Sequence, residues 1–249
     1  MGEERNIKLT IEYDGTEFAG WQVQPGQRTV QGALDEALSD LAGAPLSVTG
    51  AGRTDAGVHA LGQVANVTLS LELEPGTLAA ALNARLPDDV FVRSAHEVPP
   101  DFHARFSAVG RKYVYLIGAS ESPIWRLRRW HVRVPLDRDA MSEAGGMLEG
   151  ERDFSSFCLT GSEPDHHRCR VTRFSLEWVP DFGGMLVVRV DANRFLRGMV
   201  RSIVGTLVDV GRGRTSPDDF RAILEAGDRG EAGATAPAHG LYLSEVIYG

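Results

Sequence analysis

Gly50-Ala51-Gly52-Arg53-Thr54-Asp55-Ala56-Gly57-Val58-His59-Ala60 is a long, glycine-rich connection between two strand-like runs, Leu46 to Thr49 and Val64 to Leu71. A hairpin needs only about two to five residues to reverse the chain, so this segment does more than turn. Its glycines permit positive φ and close approach of another backbone or a ligand. Arg53 and Asp55 stand between them. Loops carried on a rigid sheet are common places for catalytic groups. A plain tight turn with a solvated arginine would give the same composition. A phosphate loop is disfavoured because no Gly-Lys-Ser or Gly-Lys-Thr follows. An aspartic-protease signature is disfavoured by the order Thr54-Asp55-Ala56-Gly57 and the lack of a second copy. A divalent metal would call for several carboxylates, and Asp14 is accounted for by its own turn, Asp14-Gly15-Thr16.

Outward from this loop, alternation and helical spacing succeed one another. Lys8 to Tyr13 alternates as a strand. Thr29 offers an N-cap to a helix with Val30, Ala33, Leu34, Ala37, Leu38 and Leu41 at helical spacing, stopped by Gly43. Beyond the loop, Thr77 caps a helix running to Leu86 and ended by Pro87, and Val90 to Ala95 is a strand. The order is βαββαβ. It then repeats. Lys112 to Ile117 is a strand, and a helix follows Asp137 with Met141, Met147 and Leu148 inward, weakened by Gly145-Gly146. Val171 to Val179 and Met185 to Val190 are strands joined by the turn Asp181-Phe182-Gly183-Gly184. A helix carries Met199, Val200, Ile203, Val204, Leu207 and Val208 on one face, with Arg194, Arg197 and Arg201 opposite. Ser216-Pro217-Asp218-Asp219 starts another helix with a cap, a first-turn proline and two acids at the positive dipole end. Gly227 ends it, and Leu241 to Tyr248 is the last strand. Two such units in series predict an α+β fold of two ferredoxin-like halves with mainly antiparallel sheet. The expected halves are 1–109, carrying the loop, and 110–249, completing the site. A sheet with helices on one face leaves the other free, where RNA-binding sheets of this topology stack bases on aromatics.

The 249 residues carry a net charge of −8, unevenly distributed. Residues 1–109 hold 7 basic and 15 acidic side chains, and residues 110–249 hold 19 of each. Between 105 and 133, Arg105, Arg111, Lys112, Arg126, Arg128, Arg129 and Arg133 face one acid, Glu121. A second basic stretch runs from Arg168 to Arg201. Arginine supplies 24 of the 26 basic residues, the type that grips phosphate bidentately. Clustered arginine on an acidic chain points to a nucleic-acid partner held locally. No apolar run approaches the roughly 20 residues of a membrane helix, and the polar start Met1-Gly2-Glu3-Glu4-Arg5 has no signal-peptide core. The cytoplasm is the expected compartment, and Cys158 and Cys169 suit a reducing one. His166 and His167 precede Cys169, but the spacing matches no zinc pattern. No metal and no organic cofactor is expected.

Gly52-Arg53-Thr54-Asp55-Ala56-Gly57-Val58-His59 resembles the signature of the TruA family of tRNA pseudouridine synthases. Other segments match in order: Tyr13-Asp14-Gly15 with Phe18 and Gly20-Trp21-Gln22; Asp101-Phe102-His103-Ala104-Arg105-Phe106-Ser107-Ala108; Arg111-Lys112-Tyr113; Phe195, Arg197 and Met199-Val200-Arg201; and Gly240-Leu241-Tyr242-Leu243. The resemblance spans nearly the whole chain and implies isomerisation of uridine to pseudouridine in the anticodon stem-loop of tRNA, at positions 38 to 40, by a homodimer without a cofactor. It implies Asp55 as nucleophile, Tyr113 as the ring against the target base and Arg201 as the cation that keeps the carboxylate charged. A carboxylate covered by a base otherwise loses solvent and with it the preference for its charged form. Arg53 is implied in holding a phosphate or displacing the flipped base, Leu241 in lining the pocket. Trp21, His59 and His103 are implied as structural or RNA-contacting groups, and Arg105 and Arg197 as substrate-binding ones. Two other functions share parts of this pattern. A non-catalytic RNA binder gains nothing from a carboxylate near phosphates. A base-excising, glycosidase-like hydrolase usually needs two carboxylates, and the loop holds one.

Overall fold

The computed structural model describes residues 3–159, 161, 166–181 and 183–249. In chain order the elements are β1 (Arg5–Tyr13), α1 (Val30–Ala42), β2 (Thr49–Gly50), β3 (His59–Leu69), α2 (Pro75–Asn83), β4 (Val90–Val98), β5 (Ala108–Gly118), β6 (Trp130–His131), α3 (Arg138–Gly146), β7 (Gly150–Asp153), β8 (Arg168–Val179), β9 (Met185–Ala192), α4 (Met199–Gly211), α5 (Pro217–Ala226) and β10 (Leu241–Tyr248). They fall into two units, Met1–Val109 with Tyr242–Gly249, and Gly110–Leu241. Residues 242–249, which the sequence pattern groups with the second half, group with the first.

In the first unit, β1 alternates as its residues require: Ile7, Leu9 and Ile11 are fully buried and Lys8, Thr10 and Glu12 are not. It pairs antiparallel with β3 on one side (Leu9 opposite Ala65) and with β4 on the other (Leu9 opposite Ala95). β2 pairs antiparallel with β3 (Thr49 opposite Asn66), so β4-β1-β3-β2 is the ferredoxin-like order. Farther along the same strand, β10 lies parallel to β3, with Tyr242 opposite His59. Helix α1 begins where the Thr29 side chain accepts from Gly32 N and ends at Gly43 in the left-handed region, as the sequence predicts.

Three expectations are corrected here. The strand placed at 46–49 is confined to 49–50, because side chains of α1 take the preceding backbone: Asp35 accepts from Val48 N, Gln31 donates to Val48 O, and the Ser39 hydroxyl accepts from Leu46 N. Helix α2 starts at Pro75 after Glu74, not at a Thr77 cap. Proline at the first turn fixes φ and sacrifices an N–H that has no partner there. It ends at Asn83, whose amide bonds both N and O of Val92 and so fastens the helix end to β4. β3 starts at His59 rather than Val64, leaving 51–58 as the connection.

In the second unit, β5 pairs antiparallel with β9 (Tyr113 opposite Val190), β9 with β8, and β8 with β7. Tyr115, Ile117, Val188 and Val190 point into the core with Phe154, Phe157 and Phe220. Gly145 has a use: a Cβ there would lie 2.1 Å from the Phe174 ring, so glycine lets α3 rest on β8. Met147, expected inward, is the half-buried C-cap of α3. β7 is a strand without an apolar alternation, its four residues all exposed. The turn expected at 181–184 includes Phe182, outside the described residues; Gly184 N bonds Asp181 O at 3.2 Å. α4 begins at Met199 after Gly198 in the left-handed region. Arg194 and Arg197 therefore precede the helix and do not share a face of it with Arg201. Helix α5 has the full capping box of Ser216 and Asp219. Among the described residues no helix is long and apolar enough to cross a membrane.

Candidate active site

Asp55 sits in the β2–β3 connection of the first unit, partly buried. The connection turns locally: Val58 N bonds Asp55 O at 3.2 Å, and Gly57 has φ of 76°. It is then fastened to residues 13–21. Trp21 N bonds Thr54 O at 3.1 Å, Gly57 N bonds Phe18 O at 3.3 Å, and the hydroxyls of Tyr13 and Thr54 meet at 2.7 Å. On the other side, Gln63 Nε2 donates to Gly52 O at 3.0 Å. Two glycines make this approach possible. A Cβ on Gly15 would lie 2.0 Å from Val58 O, and one on Gly20, whose φ is 108°, 2.7 Å from Thr54 O. The loop is thus a braced support for one carboxylate rather than a mobile tip.

Trp21 and His59 belong to this bracing. Trp21 is 3% exposed, and its ring fills the space beside Gly50, where a Cβ would lie 2.5 Å from it. His59 is 2% exposed and stacks on Tyr242 with centroids 4.7 Å apart. Its Nδ1 accepts from Gly15 N at 3.1 Å and lies 3.1 Å from Asp14 Oδ1. Both side chains, singled out from sequence as RNA-contacting or structural, offer a ligand almost no surface. Arg53 is exposed. Arg105 is also exposed, its guanidinium 5.6 Å from the ring of Phe106, itself 77% exposed.

In the second unit, Tyr113 on β5 is half-buried and meets Phe195 edge to face at 4.9 Å. Arg201 stands in the first turn of α4. Its Nε donates to Ala236 O at 2.8 Å while Ala236 N donates to Arg201 O at 3.0 Å, a reciprocal clamp. The Tyr115 hydroxyl donates to Pro237 O at 2.7 Å, and burial pushes its pKa well above the usual phenol range. Gly240 gives that ring room, since a Cβ would lie 2.6 Å from it. Residues 233–237 thereby run along α4. A Cβ on Gly205 would lie 1.7 Å from Ala234 O, and Gly233 N bonds the Thr206 hydroxyl at 3.0 Å. His239, absent from the sequence-based set, is held below the usual histidine range chiefly by burial, with the Arg201 charge acting the same way. Leu241 is 6% exposed. Arg197 is exposed and donates to Gly161 O at 3.3 Å. Arg129, counted from sequence among the basic surface residues, is 2% exposed and donates to Ser120 O and Gly184 O, so it is a strut of the 119–130 segment. Cys158 and Cys169 are buried thiols, and burial pushes Cys169 up to about 11. No group of three or more His, Cys, Asp or Glu able to hold a metal occurs among the described residues.

The sequence matches one class of enzyme. The family model described as tRNA pseudouridine synthase matches residues 9–107 and 144–249. A tRNA pseudouridine synthase A of Bacillus licheniformis is 47% identical over 247 residues, covering 97% of this chain and 98% of that one. Those of Exiguobacterium sibiricum and Geobacter sulfurreducens are each 44% identical over 246 residues, covering 98% of this chain and 97% and 100% of theirs. Among solved structures, a Cbf5-Nop10-Gar1 complex aligns at a TM-score of 0.34 and 13% identity, covering 81% of this chain and 54% of that one, too distant to carry an argument. The chain belongs to the tRNA pseudouridine synthase A family, and its activity is an isomerisation.

Proposed function

We propose that this chain converts uridine to pseudouridine in the anticodon stem-loop of tRNA, at positions 38 to 40, with Asp55 as the nucleophile. The observation that carries this is the bracing of the 51–58 connection, which holds a single carboxylate between residues 13–21 and β3. The reaction is balanced internally. The N1–C1′ bond breaks, the base rotates, the C5–C1′ bond forms, C5 loses a proton and N1 gains one. Neither a redox partner nor a group donor is needed, so the reading includes no metal and no organic cofactor. Attack on C1′, attack on C6 and elimination to a glycal all demand a charged carboxylate beside the ribose. Arg201 is assigned to keep it charged under the base. Tyr113 packs on the base, and Leu241 lines the pocket. A target in a stem must leave its stack, at about a few kcal/mol, and Arg53 fills the gap or holds the backbone. Arg105 with exposed Phe106 offers a cation and a ring on which an unpaired base can stack, and Arg197 holds phosphate. Trp21 and His59 act through the loop they support. The working unit is a cytoplasmic homodimer.

The test uses Asp55→Asn with uridine-labelled, unmodified tRNA under saturating enzyme. Turnover should vanish while tRNA binding persists, and wild type should yield rearranged uracil still joined to ribose. Variant turnover within about tenfold of wild type would remove Asp55 from the mechanism. Released free uracil from wild type would instead favour the hydrolase.

A further inference from the structure

The second unit contains a cationic cleft of about 440 Å³, lined by His131, Arg133, Val134, Pro135, Arg212 and Arg214. That volume lies within the roughly 300–1,000 Å³ of ligand-binding pockets. Its basic residues come from two elements: His131 and Arg133 from β6 and the residues after it, Arg212 and Arg214 from the end of α4. α4 has 13 residues, so at about 1.5 Å per residue the cleft lies some 15–20 Å along the helix from Arg201. A chain with a net charge of −8 has no general reason to gather three arginines and a histidine around one hollow.

The helix end offers the simplest competing account, because cations favour a helix C-terminus. Yet the four terminal carbonyls of α4 are already taken by backbone N–H groups: Val208 O by Arg212, Asp209 O by Arg214, Val210 O by Gly213 and Gly211 O by Asp137. The side chains of Arg212 and Arg214 are not needed as caps, and the helix does not explain Arg133 or His131. The acids present are Glu121 and Asp209. Glu121 lies 3.0 Å from Arg133 Nη2 and 3.8 Å from His131 Nδ1; Asp209 lies 3.4 Å from Arg214 Nη1 and 3.8 Å from Arg212 Nη1. Two carboxylates are shared among four basic groups; the Arg133–Glu121 pair is exposed on both sides and so is weak enough to exchange partners, while Asp209 is half-buried. Arg212 Nε is buried with no hydrogen-bond acceptor among the described residues, and the rest of its guanidinium has only the 3.8 Å contact with Asp209 and a position 5.9 Å over the Trp130 ring.

We propose that this cleft binds backbone phosphate of the tRNA, as an anchoring site at the far end of α4 from Arg201. Arginine forks suit phosphate oxygens, and His131 adds a donor. The inference rests on tRNA as substrate but not on the role of Asp55, because its readout is binding rather than turnover. Arg133 and Arg214 are 80% and 68% exposed, so Arg133→Gln with Arg214→Gln should leave the melting temperature unchanged. Dissociation constants for unmodified tRNA are measured between about 50 and 200 mM salt. The double variant should bind about tenfold more weakly, with a log–log salt slope shallower by about 1.5–2. A control with the same charge change elsewhere, Arg85→Gln with Arg221→Gln, should move the slope far less. Unchanged binding in the double variant, or an equal loss in the control, overturns the proposal. Equilibrium dialysis with inorganic phosphate separates the two sources of the anion. Tight phosphate binding by wild type, with tRNA affinity untouched in the double variant, would assign the cleft to a free anion and also overturn it.

Discussion

Arg201, the cation proposed beside Asp55, is also tied into the fold. Its Nε is spent on Ala236 O, so the position of the charge is fixed through a backbone carbonyl 35 residues away. Arg201→Met should abolish turnover, and Arg201→Lys should retain a fraction, because lysine keeps a point charge and loses the fork. Both lose the Nε bond, so both should unfold earlier by about 1.5–3 kcal/mol, the scale of a hydrogen bond from a charged donor. Calorimetry beside single-turnover assays checks this, and equal residual activity in the two would deny the charge a role. His239 gives a pH dependence. Its folded pKa is lowered, so the unfolded chain binds the proton more readily, and stability is full above about pH 6.5 and falls as pH drops through the lower folded value. Melting curves between about pH 5 and 7.5 should show a slope that shrinks in His239→Asn. The glycine-set connection that carries Asp55 was legible in the sequence, because its glycines are local. The clamp on Arg201 was not, because any residue could supply the carbonyl of Ala236.

Element ends whose signals are local were legible, and those decided by distant partners were not. α1 and α5 begin and end where Thr29, Gly43, Ser216 and Gly227 place them. The short β2 depends on which backbone groups Asp35, Ser39 and Gln31 claim first. β7, Gly-Glu-Arg-Asp, has no apolar residue from which to read a strand. Ser216→Ala should destabilise by about 1 kcal/mol through loss of the cap. Gly205→Ala is the more revealing change. Alanine is the better helix former by about 1 kcal/mol, yet its Cβ would drive into Ala234 O. The variant should be destabilised by about 1–3 kcal/mol instead of stabilised, as overpacking predicts, and turnover should fall as the clamp on Arg201 shifts. A variant more stable than wild type would show that residues 233–237 move aside freely.

Over the whole molecule, the βαββαβ order of the first unit was legible because its periodicities are local, while the second unit adds β6, β7 and α5 and yields its last strand to the first. Burial of individual arginines was not, and it changes the expected binding surface. Arg129 is a strut, whereas Arg126 of the same run is exposed and Arg128 is half-buried. Arg126→Gln should therefore weaken tRNA binding and flatten its salt dependence without loss of stability, while Arg129→Gln should chiefly lower the melting temperature. Sedimentation at micromolar concentration should give about twice the 27.0 kDa of one chain, and a fully active monomer would remove the dimer from the reading. Activity should survive dialysis against EDTA if the tRNA stays folded.

The return of residues 242–249 to the first unit sets an order of assembly. A ribosome making this chain finishes the whole of 110–241 before it delivers the strand that lies along His59 and Ala60. Until then His59 lacks the Tyr242 ring, and the edge of β3 at Gly62, where Ser244 O would meet a Cβ at 2.6 Å, stands uncovered. The support beneath the Asp55 loop is therefore the last part of the enzyme to mature. A chain that stops before Tyr242 carries every residue of the loop but lacks the ring and the strand that pack on His59.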